Sequence, residues 1–425
     1  MITITNEFRY LMALLGNAAT GKTADNAALS VDIDMVMNLA KEQTVLALVA
    51  SVLKEQGRSV VGDIRFKELR AIIVSAALQE EERKRALYEI LDSLEAECID
   101  YAILKGMTLE PLYSESIFRI SADVDLYVGE KYEEQAQQIL RKHGVHINKR
   151  DPRAQEAVCS HPVIGTIELH AHLLNKEDRE YWFSTDGEFT GITQPFKQMI
   201  MSDGRPVKTL GDDDNALFLS MHVIKHFIRG GTSLRNIMDI ALFIRQYAKQ
   251  YDMAPYWARL HSLHYDGIIN AALSACVYYA GFSEDEFPGM LLLERSIIDS
   301  FMTDLEIGGC MGINDTDRRV ASGSLYDRIV FKRNRGGNSC QYLWSKRKSV
   351  ISFLELYFSK KYLQEKYAYA RENAWLLPVA FVNNLCSYSW RIITRKTRTI
   401  AFHDSVNLSE KDRKRIELFK QLDII

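Results

Sequence analysis

The chain has 425 residues, 47% of them hydrophobic and 26% charged, which makes it a globular protein with enough apolar content to bury two or three cores. Its 53 basic and 56 acidic residues leave a formal net charge of −3, so no overall basic field draws it to nucleic acid. No stretch approaches about 18 uninterrupted apolar residues, which argues against a membrane span.

Phe8, Leu11, Met12 and Leu15 recur at helical spacing, and no basic segment followed by a long apolar run precedes them. The "TGKT" at 20–23 lacks the first glycine of a phosphate-binding loop and follows no strand. Helical periodicity continues to about residue 98. There Leu87, Ile90, Leu91, Leu94 and Cys98 line one face while "EEERKR" is expected in solvent. From 99 to 210 the period changes. "YAIL", "ADVDLYV", "GVHIN", "TIELHAHLL" and "PVKTL" read as strands, and "EKYEEQAQQILRKH" reads as a helix between them. From 211 the chain turns helical again, with "GDDDNALFLSMHVIKHFI" opening on acidic residues suited to a helix N-terminus and "SLRNIMDIALFIRQYA" following. The expected organisation is an N-terminal helical region (1–98), a small mixed-sheet core (99–210) and a C-terminal helical region (211–425), an α+β protein. Six cysteines, at 98, 159, 276, 310, 340 and 386, show no C-x-x-C spacing, which favours a reducing compartment and a cytoplasmic location.

Alternate side chains of a strand share a face, so Asp123, Asp125 and Tyr127 point one way and Val124, Leu126 and Val128 the other. In "GTIELHAHLL", Ile167, Leu169, Ala171 and Leu173 form the apolar face, opposite Glu168, His170 and His172. Clustered carboxylates repel unless a cation lies among them. Mg²⁺ suits such a site, because it takes oxygen ligands and is commonly shared between carboxylates and substrate phosphates. If the two strands are neighbours, Asp123, Asp125 and Glu168 form a clamp for two Mg²⁺ ions, as phosphoryl and nucleotidyl transfer require. "YAILKG" ends an apolar strand on Lys105 and Gly106, with Thr108 as a possible N-cap and Pro111 in the first turn of the next helix. Lys105 supplies charge and Gly106 lets backbone approach a triphosphate. Arg119 and Ser121 either bind phosphate or brace the loop before the strand.

The order L-K-G, R-x-S-x-D-x-D-L, x-E-L-H, H-x-x-K-H and L-R-x-x-x-D-I-A closely resembles the uncharacterised nucleotidyltransferase family of the DNA-polymerase-beta-like superfamily, over roughly residues 99–245. The resemblance implies a magnesium-dependent, two-metal nucleotidyltransferase that moves a nucleoside monophosphate from a nucleoside triphosphate to an acceptor and releases pyrophosphate. It assigns Asp123, Asp125 and Glu168 to metal and catalysis, and Lys105 and Gly106 to the nucleotide. The third carboxylate of the family is more often aspartate, so Glu168 departs from the pattern. It also implies that His222, Lys225 and His226 face the cleft, where His170 and Asp239 are further candidates.

His222 and His226 stand one helical turn apart, as a zinc pair would, but Val223 replaces the glutamate of a zinc protease; a helix packing surface with Asp239 as partner is the other reading. The basic segments 332–348 and 390–399 either touch an anionic acceptor, nucleic acid or a membrane surface, or are solvated. The acceptor stays open, a saccharide, protein or RNA. Rival readings are a non-catalytic nucleotide-binding module of the same fold and a toxin–antitoxin-type enzyme that modifies protein or tRNA.

Overall fold

The computed structural model describes residues 4–22, 30–148, 156–174, 192–310, 363, 367, 369, 373–393 and 410–424. They fall in two compact units, Met1–Arg319 with Arg413–Ile425, and Val320–Asp412. In the second unit, helix Leu377–Ile393 contributes Ala380 to a small cluster with Leu363, Tyr367 and Tyr369. Segment 332–348, Cys340 and residues 394–399 lie outside the described residues.

In the first unit, helices α1 (Asn6–Thr20), α2 (Ile33–Glu42), α3 (Leu46–Glu55), α4 (Arg58–Val61) and α5 (Asp63–Ala96) precede the sheet. Thr5 caps α1 by accepting from the Phe8 N–H, and Phe8, Leu11, Met12 and Leu15 are wholly buried, as their spacing requires. Helix α5 departs from the expected solvated charge run. Glu80, Arg83 and Lys84 are buried, because at 3.6 residues per turn they continue the stripe of Leu87, Leu91 and Leu94. Arg83 and Lys84 find polar partners across the core, and Glu80 pairs with Arg83 at 3.5 Å on the same helix. Cys98 is not on that stripe: α5 ends at Ala96, and Cys98 is exposed with φ 55°.

Five strands form a mixed sheet in the order β1 (Ala102–Ile103), β2 (Asp123–Tyr127), β5 (Gly165–His170), β4 (Glu156–His161) and β3 (His146–Ile147). β2 and β5 run parallel and every other neighbouring pair is antiparallel. Val124, Leu126, Ile167 and Leu169 pack beneath α5 and α6 (Glu133–Lys142) in one core. β5 stops at His170, four residues earlier than the alternation suggested, and Leu173 packs with Ala102, Leu104 and Phe218 instead. β7 (Pro206–Thr209) pairs with β6 (Lys197–Ile200) as a separate antiparallel ribbon.

Helices α7 (Asp212–Arg229), α8 (Leu234–Tyr247), α9 (Ala254–Ser262), α10 (Asp266–Tyr279) and α11 (Arg295–Gly308) follow. Asp212, Asp213 and Asp214 occupy the first turn of α7, where the helix dipole favours them, and Asp214 accepts from the Thr193 and Gln194 N–H groups. The C-terminal helix α12 (Glu410–Gln421) sends Arg415 into the core beside Phe227 and Phe419, paired with Asp304. Helical regions therefore flank a small mixed sheet. Among the described residues no helix is long and apolar enough to cross a membrane.

Candidate functional site

The parallel register sets Asp123 beside Thr166, Asp125 beside Glu168 and Tyr127 beside His170. Because the alternate residues of both strands are spent on the core, Asp123, Asp125, Glu168 and His170 must face the other way, and all four line one cavity of about 380 Å³. Asp125 is 2% exposed. His170 Nε2 lies 3.1 Å from Asp125 Oδ1 and 3.7 Å from Glu168 Oε2. One donor atom each from Asp125, Glu168 and His170 falls within 4.8 Å of the other two.

Lys105 enters this cluster from the end of β1. Its ammonium is 3.1 Å from Asp125 Oδ2 and 3.6 Å from Asp123 Oδ2. The three carboxylates are therefore not bare, as the sequence argument supposed, since the chain supplies one cation of its own. Burial opposes charge on Lys105, but Asp125, Asp123 and Glu168 together raise its pKa. Burial likewise opposes ionisation of Asp125, yet Lys105 and His170 hold its carboxyl far below the usual carboxylate range. His170 is held against burial by the Asp125 and Glu168 bonds, which push it up to about 9.

Two oxygens and an imidazole nitrogen make a donor set that fits a divalent cation. One feature of the geometry supports that fit. Asp125 Oδ2 is buried and makes no well-formed hydrogen bond; its one close partner is the Lys105 ammonium, at 3.1 Å, which a bound cation would displace.

Gly106 also lines the cavity, with φ 66°, and a Cβ there would sit 2.5 Å from Ser121 Oγ. Glycine is needed on both counts. The segment after it is a 3₁₀ helix, Gly106–Leu112, rather than an α-helix. Thr108 is inside that turn and buried, with Oγ1 unpartnered, so it is not an N-cap; Pro111 is also inside.

Arg119 and Ser121 border the cavity, but the Arg119 guanidinium is committed within the protein. It pairs with Asp239 through both Nε (3.0 Å) and Nη2, and Nη1 donates to Ser121 Oγ at 2.6 Å. Tyr113 donates to the same Asp239 at 2.7 Å. Asp239 is thus the anchor of Arg119 and not of the α7 histidines. On the other side of the loop, Arg83 of α5 donates to the Ser121 carbonyl and, at 2.9 Å, to the Asp123 carbonyl. Lys84 pairs with Glu110 at 2.6 Å, which Ser202 also contacts. The Arg83 bonds hold the loop that delivers Asp123 and Asp125, and the Lys84 pair ties α5 to the 3₁₀ turn after Lys105.

His222, Lys225 and His226 of α7 form the opposite wall. The two rings meet edge-on with centroids 4.3 Å apart. Burial, then Lys105, push His222 well down and His226 down to about 3, so both rings are neutral. No third donor joins them as a zinc site would need: among the described residues, the one group of three clustered donors is Asp125, Glu168 and His170. The cavity also takes in His172, which the strand alternation sets on the face of Glu168 and His170, and Glu156, Arg235, Asn236 and Cys310, which were not expected there. For Arg235 a signal existed, since it stands inside the L-R-x-x-x-D-I-A motif with Asp239.

A family model described as an uncharacterised nucleotidyltransferase matches residues 30–281, more than half the chain. The match extends beyond the 99–245 segment that carries the motifs, and so includes α5 with its clamp on the loop. No curated protein and no solved structure matches.

Proposed function

The chain belongs to the uncharacterised nucleotidyltransferase family, and on that premise we propose that it transfers a nucleoside monophosphate from a nucleoside triphosphate to an acceptor hydroxyl or phosphate. An Oacceptor–Pα bond forms, the Pα–O bond to the β-phosphate breaks, and pyrophosphate leaves. The observation that supports this reading is the pairing of Asp125 with Glu168 across β2 and β5, beside His170, Asp123 and Lys105 in one cavity.

In this reading Asp125, Glu168 and His170 would hold a divalent cation, and Asp123 is the remaining carboxylate for a second. Mg²⁺, when bound, neutralises phosphate oxygens and favours loss of the acceptor's proton. Without a cation His170 Nε2 orients Asp125 through Oδ1; to hold the cation the same nitrogen would have to be deprotonated and give up that bond. Lys105 carries positive charge to the triphosphate, and Gly106 allows backbone approach. Arg119, Asp239 and Ser121 brace the loop and act through Asp123 and Asp125. Neutral His222 and His226 offer the acceptor or the nucleotide hydrogen bonds without adding charge. The five described cysteines are free thiols, which supports a reducing, cytoplasmic setting.

The test is incubation with each α-labelled nucleoside triphosphate, Mg²⁺ and a cell extract, followed by identification of the labelled product. Label should appear on one acceptor class, with equimolar pyrophosphate. Labelling no greater than that of Asp125→Asn would overturn the assignment.

A further inference from the structure

One cation lining the cavity has no ion-pair partner among the described residues. Arg235, near the start of α8, makes a single hydrogen bond, Nη1 to the Ile120 carbonyl at 3.0 Å. Its Nε is buried without any partner, and among the described residues it forms no ion pair. Asp239, four residues on and one turn along the same helix, is the natural partner. That carboxylate is instead occupied by Arg119 and Tyr113. A second cavity, of about 580 Å³, adjoins Arg235 from behind and has no acidic residue in its lining.

Three costs coincide at this position. The buried Nε–H lacks a partner and the guanidinium makes one hydrogen bond among the described residues, where leaving a charged group unsatisfied is expensive. A cation sits in the first turn of a 14-residue helix, where the dipole is unfavourable to it. Burial and neighbouring Arg119 both disfavour its charge. An anion in the cavity removes all three together, because a guanidinium presents a fork that matches paired phosphoryl oxygens.

The location selects which anion. Arg235 holds the carbonyl of Ile120, next to Ser121, and Ser121 Oγ is the atom against which Gly106 closes. Arg235 thus stands on the Gly106 side of the cavity, and Asp123 is among the charges it feels. We propose that Arg235 binds phosphoryl oxygens of the substrate's polyphosphate tail, as a third element of the site beside Lys105 and Gly106. This rests on the nucleotide reading of the cavity but can be tested apart from it.

The experiment titrates wild type, Arg235→Gln and Arg235→Lys by calorimetry in Mg²⁺. The ligands are inorganic pyrophosphate, ATP, GTP, CTP and UTP in turn, and adenosine. Arg235→Gln should bind pyrophosphate and the preferred triphosphate at least about tenfold more weakly, with any adenosine binding unchanged. Arg235→Lys should recover part of that loss, since it restores charge without the fork. Unchanged pyrophosphate and triphosphate affinity in the folded Gln variant would overturn the proposal, leaving Arg235 a brace for Ile120; should the Gln variant unfold, full wild-type affinity in the Lys variant would do the same. Arg235-dependent pyrophosphate binding with no triphosphate binding would keep the anion site while sinking nucleotidyl transfer. If the wild type binds neither ligand, both readings fall.

Discussion

Two groups of buried charge flank the loop at 119–123, and they are built differently. In the brace, Arg119 faces Asp239 through two nitrogens, and Lys84 faces Glu110, so each charge has a fixed opposite partner. In the cavity, Asp123, Asp125 and Glu168 share Lys105 and His170, one Asp125 oxygen has only the Lys105 ammonium beside it, and Arg235 forms no ion pair among the described residues. The difference separates charges that hold the backbone from charges left incompletely paired within the described protein, which on the proposed function serve a ligand. Paired ions in a fixed geometry stabilise a shape; incompletely paired ones cost free energy unless something binds.

The largest expected effect breaks the cavity side. Asp125→Asn should reduce nucleotidyl transfer at least about a thousandfold. The variant should also melt lower without metal, because the fold holds Asp125 ionised against Lys105 and His170. Thermal melts with and without Mg²⁺ and nucleotide check this, and full activity would remove the cavity from the mechanism.

Breaking the brace should act on stability first. Asp239→Asn leaves Arg119 buried and unpaired, at a cost of about 3–5 kcal/mol in denaturant unfolding. Arg119→Met combined with Asp239→Leu should regain much of that, since a buried pair replaced by apolar residues of similar volume is often tolerated. Equal losses in the single and double variants would contradict the pairing argument.

Lys105→Met sharpens the comparison by removing the internal cation. Triphosphate affinity should fall about tenfold, while Mn²⁺ alone should bind more tightly because the ammonium no longer competes for Asp125. Calorimetry with each ligand separately distinguishes the two changes. Weaker Mn²⁺ binding would mean that Lys105 supports the cation position and does not compete for it.

The smallest effect is a pH dependence from the opposite wall. His226 is held down to about 3 and His222 well below its ordinary value, so below about pH 6.5 the unfolded chain takes up protons that the folded chain does not. Their contribution is intact at neutral pH and is lost as pH falls from about 6.5 towards 3, by at most about 1.4 kcal/mol per pH unit per ring. His222→Gln with His226→Gln should flatten unfolding free energy over that interval relative to wild type. An identical slope in both proteins would show that the rings titrate normally.

Much of the sheet was legible because its period is two. Val124, Leu126, Ile167 and Leu169 announce a core face, and Asp123, Asp125 and Glu168 are then forced onto the other. β4 and β6 were not read as strands, since "EAVCSH" and "KQMI" mix polar and apolar residues too briefly to show alternation. The α5 charges were misread for a related reason. A charge run on a helix normally faces water, and nothing local tells Glu80, Arg83 and Lys84 from Glu81 and Glu82 except helical phase relative to Leu87 and Leu91.

The sequence by itself determined the local quantities: which residues alternate on a strand and which spacing buries α1. Those follow from backbone geometry within a few residues. Tertiary structure decided the partners. That Asp125 stands opposite Glu168, that Arg119 takes Asp239 while Arg235 takes the Ile120 carbonyl, and that Lys105 lies between two aspartates all join residues at least 18 positions apart in the chain. Charge pairing over such separations depends on which elements pack together, and the Coulomb term that sets each pKa depends on distances that no sequence pattern contains.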